Sequence, residues 1–114
     1  MTEIEDYEYL CSLVNHVADM LSTYELLTQL AEEAAELAQA ALKYRRALRT
    51  EQGQEDTSPT PKTAQEARKA LEEELADVEL CVYALEMSTI DFEPMKRKGE
   101  RWLRRLEEYE DATS

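Results

Sequence analysis

Two short acidic patterns carry the chemistry this chain offers. Glu32, Glu33 and Glu36 form EExxE within TYELLTQLAEEAAELAQAALKYRR, and Glu74 and Asp77 form ExxD within EELADVELCVYAL. On a helix, residues three apart project about 60° from one another, so Glu33 shares a face with Glu36 and Glu74 with Asp77. The apolar stripe Leu26, Leu30, Leu37, Ala41, Tyr44, Leu48 passes through Glu33, where a hydrophobe is expected. In the second segment Ala70, Glu74, Asp77, Cys81 and Ala84 run beside a seam of Leu71, Leu75, Val78, Val82 and Leu85. Four carboxylates, Glu33, Glu36, Glu74 and Asp77, therefore face inward. Like charges cannot converge away from water without raised pKa values unless a cation neutralises them. An all-oxygen donor set suits a hard ion, Mg²⁺ with Mn²⁺ as a substitute.

Other chemistries fit less well. A di-iron bundle needs Glu-x-x-His motifs, and the one histidine, His16, has Leu13 three residues before it. Cys11 and Cys81 lie far apart among apolar residues, without zinc-binding spacing, and read as core. Glu72, Glu73 and Glu86 belong to solvated faces. The competing reading of the inward acids is the same: ordinary surface glutamates in a Glu-rich chain.

The elements that must position these acids are helices. With two Gly and three Pro in 114 residues, Ala, Leu and Glu dominate, and summed propensity favours helix with almost no strand. A first helix is expected from about Glu3 to Leu21, with Leu10, Leu13, Val14, Val17 and Leu21 on one face. Ser22-x-x-Glu25 is a capping box opening a second helix at Thr23 that runs to about Arg49. Residues 50–62, rich in Pro, Gly, Ser and Thr, form a mobile loop inside one domain spanning 1–114. Thr63-x-x-Glu66 opens a third helix from Ala64 to about Met87, broken at Ser88–Asp91. A fourth, capped by Asp91 or Glu93 with Pro94 in its first turn, reaches about Glu110 before the end frays. The fold class is all-α, an antiparallel four-helix bundle that gains from assembling into an oligomer.

Charge narrows the function classes. The net charge of −13 argues against non-specific nucleic-acid binding. The acidic N-terminus and the lack of a long apolar run argue against a signal peptide or a membrane span, which places the chain in the cytoplasm. The charge is also segregated. Residues 1–42 contain no Lys or Arg, whereas Lys96, Arg97, Lys98, Arg101, Arg104 and Arg105 fall within ten residues.

The two motifs on successive capped helices, followed by a basic helix, resemble the all-α nucleoside triphosphate pyrophosphohydrolase superfamily, the MazG-like proteins, over residues 22–106. The loop between the motifs is longer than in compact relatives. The resemblance implies a homodimeric or homotetrameric helical bundle that cleaves a nucleoside triphosphate between its α and β phosphates, leaving a monophosphate and pyrophosphate. By motif position Glu33, Glu36, Glu74 and Asp77 are then the Mg²⁺ ligands, and Glu32 matches the leading acid of EExxE.

Elementary chemistry assigns the remaining roles. Glu32 or Glu36 takes the proton of the attacking water. Lys98, Arg101 and Arg105, sharing a face by steps of three and four, are candidates to stabilise the leaving pyrophosphate, and Lys43 with Arg46 forms a second phosphate clamp. Either cluster is equally explained by helix-dipole complementation and surface ion pairs. Trp102 reads as a core or interface anchor. Two readings from other classes stay open: an acidic interaction protein that mimics DNA or sequesters a basic partner, and an oligomeric scaffold whose inward acids meet Lys or Arg.

Overall fold

A computed structural model describes residues 2–54, 63–87 and 91–113. They form four helices, α1 (Glu3–Met20), α2 (Thr23–Glu51), α3 (Ala64–Ala84) and α4 (Phe92–Thr113), and no strand occurs among them.

Hydroxyl N-caps start the first three. Ser22 Oγ accepts from the Glu25 N–H at 3.1 Å while the Ser22 N–H donates back to Glu25 Oε1 at 3.4 Å. Thr2 and Glu5 make the same reciprocal box at α1. At α3, Thr63 Oγ1 accepts from the Glu66 N–H, and the Ala64 N–H donates to Glu51 Oε1 at 2.8 Å, tying the end of α2 to the start of α3. Each cap contributes about 1 kcal/mol by satisfying N–H groups that no helical carbonyl can reach.

Two helices end by one device. After α2, Gly53 takes a φ of 77°, its N–H reaching the Thr50 carbonyl and that of Gln54 reaching Arg49. After α3, Glu86 takes a φ of 60°, with its N–H on Tyr83 and that of Met87 on Val82. Both are Schellman closures. Helix α2 therefore extends through Thr50 and Glu51, beyond the expected Arg49, and α3 stops at Ala84, short of Met87. The rest of the expected mobile loop, 55–62, and the breaker residues 88–90 lie outside the described residues. Helix α4 continues to Thr113 where fraying was expected, the Thr113 hydroxyl donating to the Tyr109 carbonyl.

The principal packing is α2 on α3, with α1 touching α3. On α2 the seam is Leu26, Leu30, Glu33, Leu37, Ala40, Tyr44 and Ala47, alternating steps of four and three. Leu26, Ala40 and Ala47 are buried, and the others half-buried. On α3 it is Ala64, Ala67, Leu71, Glu74, Val78, Cys81 and Ala84. Ala47 and Ala67 are each only 1% exposed, and with Ala64 they form a small-residue contact against which Tyr44 packs. This corrects the expected faces. Ala41, Leu48 and Leu75 point outward, because two helices in long contact hold an average period of 3.5 residues, which selects Ala40 and Ala47 on α2 and, on α3, the already expected Glu74 without Leu75.

Helix α4 stands apart. None of its residues is buried, and it makes no extended contact with the other helices among the described residues. The radius of gyration is accordingly 18.6 Å, against about 13 Å for a compact domain of this length. Among the described residues α4 makes no extended contact that would close a four-helix bundle with α1, α2 and α3.

Candidate metal centre

The α2–α3 seam brings acids together because its spacing runs through them. Glu33 and Glu74 occupy seam positions on facing helices, and Glu36 is one turn from Glu33. A ligand oxygen from each of Glu33, Glu36 and Glu74 lies within 4.8 Å of the other two, a grouping that could hold a metal ion. Glu33 and Glu74 are half-buried and Glu36 is exposed, so the cluster is open on one side.

Its hydrogen bonding is incomplete in a telling way. Gln29, one turn before Glu33, donates to Glu33 Oε1 at 2.7 Å and fixes that carboxylate. Glu33 Oε2 and Glu74 Oε2 are both buried without a hydrogen-bond partner. Buried carboxylate oxygens are normally paired, and leaving them unpaired is costly. A cation would satisfy both oxygens, so the residues fit a bound hard ion.

Electrostatics agree with the geometry. The Gln29 hydrogen bond favours the ionised form of Glu33, but burial and the charges of Glu36 and Asp77 outweigh it and raise its pKa above the ordinary carboxylate value. Burial, then Glu33 and Asp77, push the Cys81 thiol up as well, which keeps it protonated and unreactive. Asp77 is exposed and outside the close triad, yet its charge reaches both groups. Glu32 is exposed and not part of the triad.

A cleft of about 260 Å³ adjoins the acids, lined by Glu36, Gln39, Ala40, Lys43, Ala67 and Glu74. Lys43 thus sits with two of the three clustered acids. Arg46 is half-buried with its Nε unpartnered. Glu72 pairs with Arg68 at 3.0 Å on the solvent face, as its reading as a surface residue expects. Lys98, Arg101 and Arg105 lie exposed on α4 and make no ion pair with the acid cluster.

Neither the orienting Gln29 nor the alanine floor of the cleft was read from the sequence. Gln29 had a usable signal, its i,i+4 spacing to Glu33.

No protein-family model, curated protein or solved structure matches this chain.

Proposed function

We propose that the chain is a Mg²⁺-dependent nucleoside triphosphate pyrophosphohydrolase, releasing pyrophosphate from a nucleoside triphosphate and leaving the monophosphate. The observation that carries this reading is the Glu33, Glu36, Glu74 cluster, with two buried unpartnered oxygens beside a cleft that also presents Lys43. Glu33, Glu36 and Glu74 hold the ion, and Asp77, one turn along α3, completes the set. When bound, Mg²⁺ supplies charge neutralisation for phosphate oxygens and acidifies water. Glu36, the solvent-exposed member, takes the proton of the attacking water, with Glu32 the alternative base. Lys43 binds phosphate oxygens across the cleft, and Arg46 is the second cation on the same helix. Lys98, Arg101 and Arg105 lie on α4 and do not line this cleft within one chain. No described helix is long and apolar enough to cross a membrane, and the setting that fits the reading is the cytosol, with the chain as a homodimer or homotetramer.

A pyrophosphate-release panel over common and modified nucleoside triphosphates tests the proposal. Release with Mg²⁺ or Mn²⁺ that stops with a chelator is the expected result. No release from any nucleotide, in a chain whose melting is also indifferent to either metal, would leave the acidic interaction protein as the better account.

A further inference from the structure

Helix α4 exposes an apolar stripe, Phe92 and Met95 and then, past Gly99, Trp102, Leu103, Leu106 and Tyr109, each more than half accessible. These positions occupy an arc of roughly 120° around the helix. One edge of the arc is basic, with Lys98, Arg101 and Arg105, while the other carries Glu100, Glu107 and Asp111 beside Lys96. A helix lying on a bilayer is basic across its polar face. Charge of opposite sign on the two edges suits a helix held in one orientation in a protein groove.

The matching surface lies at the other end of the sequence. Helices α1 and α3 leave a mainly apolar groove of about 340 Å³, lined by Tyr7, Leu10, Cys11, Val14, Asn15 and Tyr83. Glu8 and Asp19 line the adjoining surface with Tyr7, Cys11, Asn15 and His16, two acids flanking one histidine. No Lys or Arg occurs before Lys43, so α1 presents no lysine or arginine to a basic approach. Glu8 and Asp19 are about 16 Å apart along α1, and Lys98 to Arg105 covers about 10 Å along α4, a difference long basic side chains bridge. The isolated chain exposes 9526 Å², against about 6,400 Å² for a compact monomer of its mass. That excess is larger than the roughly 800 Å² each partner buries in a standard interface.

We propose that α4 docks into the α1–α3 groove of a second copy of this chain, Trp102 entering the groove and Lys98, Arg101 and Arg105 meeting Glu8 and Asp19. Reciprocal exchange of the two α4 helices closes a two-fold dimer. The proposal stands independently of the nucleotide reading.

Sedimentation of the full chain, with emission of the sole tryptophan as reporter, tests it. The expected result is a dimer at micromolar concentration, with blue-shifted Trp102 emission that moves red as the dimer dissociates on dilution. Reversing the basic edge (Lys98→Glu, Arg101→Glu, Arg105→Glu) or the two acids (Glu8→Lys, Asp19→Lys) should weaken association by at least about tenfold. Mixing the two variants should restore a heterodimer, because both of its interfaces are again complementary. Docking of α4 on its own chain cannot be rescued by mixing. A monomer at all concentrations, association indifferent to both reversals, no rescue on mixing, or a Trp102 shift only on anionic vesicles would each overturn the proposal.

Discussion

The α2–α3 hairpin and α4 have similar helical content and opposite fates for their apolar residues. In the hairpin, small side chains at Ala40, Ala47, Ala64 and Ala67 let two backbones approach and bury a seam in which Glu33 and Glu74 are trapped. In α4, larger hydrophobes, among them Trp102, Leu103 and Leu106, stay in solvent. The contrast separates two uses of an amphipathic pattern. A seam closed within the chain holds carboxylate oxygens of Glu33, Glu36 and Glu74 within 4.8 Å of one another. A stripe left open is the surface on which the proposed assembly rests.

The largest expected effect concerns the trapped acids. Glu74→Gln should lower pyrophosphate release by more than about a hundredfold, since disturbing even the partners of metal ligands costs ten- to a hundredfold. Asp77→Asn, outside the close triad, should cost about tenfold on the same scale. Circular dichroism should show both variants helical. Loss of helix in Glu74→Gln would make the seam acid structural and erase the distinction drawn here.

Cations of the two regions should also differ. Lys43→Ala should reduce kcat/KM by about ten- to a hundredfold, the result of losing a charge-assisted contact of roughly 1.5–3 kcal/mol. Assayed at a concentration that maintains assembly, Arg97→Ala, Arg101→Ala and Arg104→Ala should stay near wild type. A drop for Arg101→Ala matching that for Lys43→Ala would return α4 to the active centre.

Packing provides the next contrast. Ala67→Leu should destabilise the fold by about 1–3 kcal/mol in denaturant titration, because Ala67 is buried against Ala47 and Ala64 and a larger side chain there forces the two helices apart or into the adjoining cleft. Leu106→Ala, measured at dilutions where the chain is monomeric, should change stability by less than about 0.5 kcal/mol. Equal costs would mean that α4 packs on its own chain.

The smallest effect is pH-dependent. Folding raises the pKa of Glu33, so its protonation stabilises the metal-free fold. That contribution is complete below the ordinary carboxylate pKa and is lost as pH rises through the raised folded value. Metal-free melting temperature should therefore rise on mild acidification from neutrality, and Glu33→Gln should remove part of that slope. An unchanged slope in the variant would place Glu33 in ordinary solvent.

Much of this was legible in residue types. The Ser22/Glu25 and Thr63/Glu66 pairs marked two helix starts, and the interruption of an apolar stripe at Glu33 marked an inward acid. The C-terminal boundary of α2 was also written, in Gly53, since glycine suits the left-handed position that closes a helix. Helix α3 gave no such sign, because nothing about Glu86 announces a positive φ. The buried faces are harder to see in residue types, because Leu48 and Leu75 are more apolar than the alanines that fill the seam. Composition alone favours the larger residue, whereas close approach of two helices favours the smaller. The position of α4 was not legible, because a stripe reads the same whether its partner belongs to its own chain or to another.

The central claim, that the trapped acids hold a divalent cation, is tested most directly by Mn²⁺ titration of the full chain followed by electron paramagnetic resonance, comparing wild type with Glu74→Gln. Saturable loss of the aqueous Mn²⁺ signal in wild type, reversed by excess Mg²⁺ and absent in Glu74→Gln, is the predicted result. Equal Mn²⁺ binding by both proteins, or none by either, would contradict it.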